Sequence, residues 1–253
     1  MHAFSVLWRS IAVILGFAFL AVPAAADDRE TLIALIKKGG EESGAGKSKE
    51  AIATLEQALP LMRKEMGESH QATALMLDRL GELHAELGNH AKAEDYFRRS
   101  VVAKEIAFGA GHDLVAKSLV SLAEAHYELG KYEKMEAPLL RALSIREAAL
   151  GKDHEETSTV CNSLGVAYRV LGQYAQSESF YLRALAIREA KLGKDHISTA
   201  QTLLNLGGLY HIQQQYEKAK PLYLRALAIR DAIGDDNRLN VTTILQNLAS
   251  LYC

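Results

Sequence analysis

The sequence is short of cysteine, of net charge and of long apolar runs, and each shortage removes a class of protein. Two cysteines, Cys161 and Cys253, in 253 residues leave no disulfide framework to staple a small scaffold. A formal net charge of −2 and a pI near 6.5 leave no basic stripe for nucleic acid or an acidic membrane surface. The lysines and arginines are interleaved with Glu and Asp, as on solvated helix faces. The apolar run Ile11–Val22 is too short for a comfortable membrane span. It follows the basic Arg9 and precedes Ala24-Ala25-Ala26 and then Asp27-Asp28. That order is the pattern of a secretory signal peptide cleaved after Ala26, with an uncleaved anchor as the alternative. The expected location is therefore periplasmic or secreted. No cysteine lies near the cleavage site, so lipid attachment there is not indicated.

What the chain has in quantity is repetition. Gly67-Glu-Ser-His70, Gly109-Ala-Gly-His112, Gly151-Lys-Asp-His154 and Gly193-Lys-Asp-His196 recur every 42 residues, and Gly234-Asp-Asp-Asn237 follows after 41. Each unit carries two patterns of helical period. The first ends in Leu80-Gly-Glu-Leu-His84, Leu122-Ala-Glu-Ala-His126, Leu164-Gly-Val-Ala-Tyr168 or Leu206-Gly-Gly-Leu-Tyr210. The second contains Leu140-Arg-Ala-Leu143, Leu182-Arg-Ala-Leu185 or Leu224-Arg-Ala-Leu227. Gly88, Gly130 and Gly172 mark the turn between them. Each unit is a helical hairpin, which cannot bury its apolar face alone and must stack on its neighbours. The expected fold is an all-α solenoid. After the signal peptide at 1–26 come hairpins at about 28–66, 70–108, 112–150, 154–192 and 196–233 and a lone final helix at 238–252. Pro60 falls inside a helix and predicts a kink. Pro138 and Pro221 sit nearer helix starts, where the cost is smaller.

Three motifs invite a chemical reading, and the repeat weakens each. Gly46-Lys47-Ser48 ends like a phosphate-binding loop, but the glycine that pattern requires five places earlier is Glu41. Adding 42 to Gly46 gives Gly88, so it is the turn of the first, degenerate hairpin. His70, His112, His154 and His196 come one per unit. A zinc ion needs several ligands at about 2 Å, and stacked helices about 8–10 Å apart keep them separate. They read as loop residues packing at the start of the next helix. Ser, His and Asp are plentiful but in repeat register, whereas catalysis needs one converging geometry. No catalytic, metal or cofactor residue is expected, and the chain is read as a non-enzyme.

Leu206-Gly-Gly-Leu-Tyr210, Tyr216-Glu-Lys-Ala219 and Pro221-Leu-Tyr-Leu-Arg-Ala-Leu-Ala-Ile-Arg230 resemble the tetratricopeptide repeat (TPR). The 42-residue period with Gly-Lys-Asp-His between units is similar to its kinesin-light-chain variant. The resemblance spans about 28–253 and is strongest from about 70 onward. It implies a right-handed superhelix whose first helices line a concave groove that binds a peptide or protein segment. Carried over position by position, the groove residues are Lys117, Tyr127, Asn162, Arg169, Gln201, Asn205, His211, Gln246 and Asn247, with Asp78, Glu82 and Glu124 beside them. Asn162, Asn205 and Asn247 match best. An amide offers both a donor and an acceptor to a peptide backbone, although an ordinary solvated face is the plainer reading. The groove is expected to be acidic at Asp78–Glu82 and neutral to basic near Arg169. The chain departs from the pattern at Met135, where a small residue is expected and looser packing follows, and at Gln214, which replaces the turn glycine.

The remaining expectations concern packing and ends. Cys161 takes the core position of Leu77, Leu119 and Leu203, so it is a small buried hydrophobe too far from Cys253 for a bridge. His84 and His126 take the place of Tyr168 and Tyr210, in core or interface. Arg141, Arg183, Arg225, Arg146, Arg188 and Arg230 are expected in exposed inter-repeat pairs with Glu147, Glu189 and Asp231, worth about 0–1 kcal/mol each. Ile244, Leu245, Leu248 and Leu251 of the last helix either leave an interaction surface or form the cap. The expected function is a non-catalytic interaction scaffold. Self-assembly through the last helix and a Cys253 homodimer, or a role as accessory fragment of a larger enzyme, stay open beside it.

Overall fold

The computed structural model of the chain describes residues 26–232 and position 246. The expected signal peptide at 1–26, apart from Ala26, the expected final helix at 238–252, apart from position 246, and Cys253 lie outside the described residues. Among the described residues ten α-helices with defined bounds follow one another: α1 Ala26–Gly44, α2 Ser48–Met66, α3 Gln71–Glu86, α4 His90–Phe108 and α5 Asp113–Glu128, then a 3₁₀ turn Tyr132–Lys134, α6 Glu136–Leu150, α7 Glu155–Val170, α8 Tyr174–Lys191, α9 Ile197–Ile212 and α10 Tyr216–Ala232. No strand occurs among the described residues. The chain forms two compact units, 1–131 and 132–253. Within each, consecutive helices pack as antiparallel hairpins that stack on the next, the all-α solenoid arrangement expected from the repeat.

The recurring tetrad is a helix start. Gly67, Gly151 and Gly193 take φ of 89°, 99° and 96°, and their carbonyls accept bonds of 2.8–3.0 Å from Thr73, Thr157 and Thr199. The histidine between them is the N-cap. The Nδ1 atoms of His70, His112, His154 and His196 each accept the backbone N–H two residues on, at 3.1–3.2 Å. Loop packing alone was too weak a reading of these residues: each satisfies an orphan donor at a helix start.

Within a hairpin, one glycine sets how closely the helices approach. A Cβ on Gly165 would stand 2.5 Å from the Tyr181 ring, and one on Gly207 2.7 Å from the Tyr223 ring. Gly81 stands to Phe97, and Gly39 to Leu55, in the same way. Tyr181 and Tyr223 are fully buried beside Leu203, Leu206 and Ala226 in the core of the second unit, while Leu32, Leu55, Leu77, Leu80 and Leu83 centre the first.

The helix containing Pro60 runs unbroken from Ser48 to Met66. Gly46 has φ 72°, against 73°, 67° and 73° at Gly88, Gly130 and Gly172, and a helix precedes it, so it is the hairpin turn. Gln214 adopts φ 59° at the equivalent place, where a Cβ is disfavoured. Met135 is buried at the position held by Ala93, Ser177 and Ala219. The backbone accommodates it: the first turn there is 3₁₀, and the α-helix starts only at Glu136.

Candidate functional site

The first helices of the second unit, α7 and α9, carry the amide residues expected in the groove, and the fold brings three of them together. Asn205 Nδ2 donates to Asn162 Oδ1 at 3.1 Å, and Gln201 Nε2 donates to Asn205 Oδ1 at 3.3 Å. Arg230 Nη2 extends the chain by donating to Gln201 Oε1 at 3.2 Å. The two asparagines are 43 residues apart, one more than the repeat. That stagger sets them diagonally on neighbouring helices instead of side by side. All three amides are half-buried, so each keeps hydrogen-bonding capacity on its open side. Thr159 and Ser163 on α7 add further uncharged polar groups.

Arg169 and His211 occupy the far turns of α7 and α9 and are half-buried. The His211 ring lies edge-on to Tyr216 at 5.5 Å and to Tyr223 at 6.5 Å. Beneath them, Tyr223 is buried and its hydroxyl is pushed up to about 12 by that burial. Gln246 is helical and exposed, and Asn247 lies outside the described residues.

In the first unit the expected acidic end is not one. Asp78 is buried, with Lys104 Nζ at 2.9 Å, Ser118 Oγ donating at 2.6 Å and Ser100 Oγ donating at 3.1 Å. Burial alone would raise its carboxyl, but the Lys104 and Lys117 charges and the Ser118 hydroxyl outweigh that and hold it below the ordinary range. Lys117 reaches Glu82 at 2.8 Å and Asp78 at 3.8 Å, and Glu82 also meets Arg79 at 2.9 Å. The acids are thus neutralised within the protein, and the charge gradient expected along the groove is corrected accordingly. Glu124 is exposed and Tyr127 half-buried on α5.

The arginines divide into two sets. Arg183 meets Glu147 at 2.6 Å and Arg225 meets Glu189 at 2.5 Å, the inter-repeat pairs expected. Arg146, Arg188 and Arg230 are not exposed: they are 2–6 % accessible. Arg188 donates to Ser158 Oγ, the Ser198 carbonyl and Thr202 Oγ1 at 2.7–3.2 Å, so it ties α8 to both flanking first helices. Subtracting 42 from Arg146 gives Lys104, so the buried lysine of the first unit belongs to the same series. Sequence reasoning missed this series because charged side chains are by default exposed; its strict register was the available signal. The place shared by His84, His126, Tyr168 and Tyr210 is an inter-repeat contact, as expected. These side chains meet Glu56, Glu94, Glu136 and Glu178 at 2.6–3.3 Å. Cys161 is fully buried, and burial pushes its thiol up to about 11.

With this geometry in place, comparison with known proteins is direct. The Tetratricopeptide repeat family model matches residues 30–105, 87–148, 114–190, 158–232 and 198–253. No curated protein sequence matches significantly. Among solved structures, BtubC (BKLC) from P. vanneervenii is 22 % identical with a TM-score of 0.70, over 92 % of this chain and 91 % of that one. A kinesin-light-chain-type protein of Podosopora anserina with nearly identical TPR-like repeats is 19 % identical with a TM-score of 0.70, over 84 % of this chain and 99 % of that one. YrrB, described as a TPR protein with an unusual peptide-binding site, is 17 % identical with a TM-score of 0.53, over 82 % and 89 %. At such identities the likeness speaks for the fold. The repeat matches cover the helical hairpins from end to end, and the chain belongs to the tetratricopeptide repeat family.

Proposed function

We propose that this protein is a non-catalytic interaction module, exported by its N-terminal leader to the periplasm or medium, that binds an extended segment of a partner protein. The observation that carries this reading is the amide run Asn162–Asn205–Gln201 across α7 and α9. Its members already bond one another, so the run is held in place before a ligand arrives, which limits the entropy lost on binding. An extended segment laid across it can use the remaining amide donors and lone pairs for its backbone, without regard to the segment's side chains. Arg169 and His211 at one end supply further polar contacts on that face. The peptide-binding site described for YrrB supports the same use of this fold. Lys117 and Tyr127 are the corresponding candidates on the first unit.

The test is affinity capture from source-cell extract with the full chain and with Asn162→Ala/Asn205→Ala. Two lost hydrogen bonds at about 1–1.5 kcal/mol each correspond to a drop in affinity of roughly 30- to 150-fold. Partners that the double variant retains at parental strength are not bound through this face, and if all are retained the reading fails.

A further inference from the structure

Gly208 stands inside α9 without a reason in the packing. A helix-interior glycine is less stable than alanine, so its place needs a cause. Its neighbour Gly207 has one, since a Cβ there would strike the Tyr223 ring. Among the described residues, a Cβ on Gly208 would meet only the Tyr223 hydroxyl oxygen, at 3.9 Å, an ordinary contact. The equivalent places in the earlier repeats hold Glu82, Glu124 and Val166, so the repeat accepts a side chain here.

The missing side chain leaves a notch in the face that carries the amide run. Gln201, Asn205, Gly208 and Ile212 lie at i, i+4, i+7 and i+11, one line along α9. Asn205 and His211 flank the notch, three residues to either side. Beneath it is an orphan donor. The Tyr223 side chain is fully buried, and among the described residues its hydroxyl has no hydrogen-bond partner. Buried polar groups in that state are exceptions that need an explanation. Burial raises this hydroxyl to about 12, so it keeps its proton at neutral pH and is available as a donor. Packing does not require it: Phe97 and Leu139 fill the equivalent place in two earlier repeats. Where Tyr181 repeats the tyrosine, Val166 stands at the place of Gly208.

We propose that the Gly208 notch is a subsite of the α7–α9 face that admits one backbone carbonyl of the bound segment, which accepts a hydrogen bond from the Tyr223 hydroxyl. The proposal rests on the reading of that face as a peptide-binding groove. An oxygen at the place of the missing Cβ stands 3.9 Å from the hydroxyl. A movement of about 1 Å brings the two to the ordinary O–H···O distance of about 2.8 Å. Any other residue at 208 would fill that place with its own Cβ. One donor beneath one missing methyl suits a single acceptor atom, and an extended polypeptide presents such an atom at every residue. The Asn205 amide beside the notch can take the adjoining peptide group. Ile212, 48 % exposed one turn further on, offers an apolar side chain of the segment a contact.

The experiment selects peptides from a displayed library of random dodecapeptides on the full chain and keeps those that Asn162→Ala/Asn205→Ala weakens. Each is then measured by calorimetry on the parent, Tyr223→Phe and Gly208→Ala. Tyr223→Phe should lower affinity by about 3- to 10-fold, the worth of one neutral hydrogen bond. Gly208→Ala should lower it by more than about tenfold, because the methyl takes the place of the carbonyl. Neither should lower the thermal midpoint: one variant removes a buried hydroxyl without a partner, and the other replaces a helix glycine. Binding lost while stability is kept or raised is an outcome that a purely structural role does not give. If Tyr223→Phe does lower the midpoint, Gly208→Ala decides. Esters put in place of the peptide bonds of a selected peptide, one at a time, identify the acceptor: one of them weakens binding to the parent and not to Tyr223→Phe. Peptides that bind both variants like the parent, or an ester series that affects parent and Tyr223→Phe alike, overturn the notch and leave the groove standing. If no selected peptide is weakened by the asparagine pair, the groove reading falls and the notch with it.

Discussion

Replacing Lys104 by Met removes the charge that faces Asp78 at 2.9 Å in the buried interior of the first unit. The carboxylate keeps the Ser118 and Ser100 hydroxyls and the more distant Lys117, so the loss falls at the low end for a broken buried pair, about 3 kcal/mol. Asp78→Ile is worse. It leaves the ammonium, wholly inaccessible to solvent, with only Ser118 Oγ at 2.7 Å, and about 4–5 kcal/mol is expected. Added independently, the two would cost about 7–8 kcal/mol, on the scale of the whole stability of a domain. The chain itself contains the alternative. The positions 42 residues earlier are Ile36 and Met62, both buried, so the first hairpin already packs an apolar version of this pair. The double variant Asp78→Ile/Lys104→Met should therefore be near parental stability, since apolar replacement of a buried ion pair is neutral or stabilising. Ser100 and Ser118 keep the Ala74 and Leu114 carbonyls as acceptors, so no hydroxyl is orphaned. The assay is urea unfolding followed by helix ellipticity at pH 7, with ΔG taken from midpoint and slope. Lys104→Arg, which restores the residue found at 146, 188 and 230, should stay within about 1 kcal/mol of the parent. Single variants that each lose less than about 1 kcal/mol, or a double variant that loses their sum, would refute the reasoning. The acid limb gives a second reading. The folded Asp78 carboxyl titrates below its ordinary value of 3.8, so its contribution is complete above that pH and disappears as the pH falls through the lower folded value. In Lys104→Met the main depressing charge is gone, and the loss of stability should begin at higher pH.

Three further outcomes follow from the same geometry. Gln214→Gly relieves a left-handed residue at φ 59° and should raise stability by about 1 kcal/mol, read as a higher thermal midpoint. Gly207→Ala drives a methyl to 2.7 Å from the buried Tyr223 ring and should cost about 1–3 kcal/mol; a neutral result in urea unfolding would mean that the hairpin can open without penalty. His70 caps α3 as an acceptor, and burial lowers its pKa from 6.5. The cap is therefore complete above that value and is lost as the pH falls through the lower folded one, because the imidazolium has no lone pair to offer. His70→Asn keeps a cap that does not titrate in this range, so its unfolding midpoint should fall less than the parent's between pH 7 and pH 5.

The hairpins were legible because the period is rigid: 42-residue copies expose turn, helix and core positions by superposition, and Gly46 could be assigned to a turn from register alone. What stayed hidden depends on depth, which residue type reports poorly. Lys104 and Arg188 look like surface cations, yet each is buried with its charged head held by polar groups inside the stack. Histidine is not among the strong N-cap types, so the caps at His70, His112, His154 and His196 were read as loop packing, although their one-per-unit recurrence immediately before a helix was visible. The amide run was half legible. Asn162 and Asn205 were singled out as separate groove residues, but they stand one residue out of register, and a repeat read strictly by superposition would have paired Asn162 with Leu204. Their contact arises because side chains on stacked helices meet diagonally, so the partner of a residue in the next repeat is not always its copy. The same distinction separates Asp78, whose copy in register is Asn162, from any role in binding: one neighbouring lysine at 2.9 Å turns that position into a buried ion pair. In a repeat protein, register identifies the place, and the residues that break register decide what the place does.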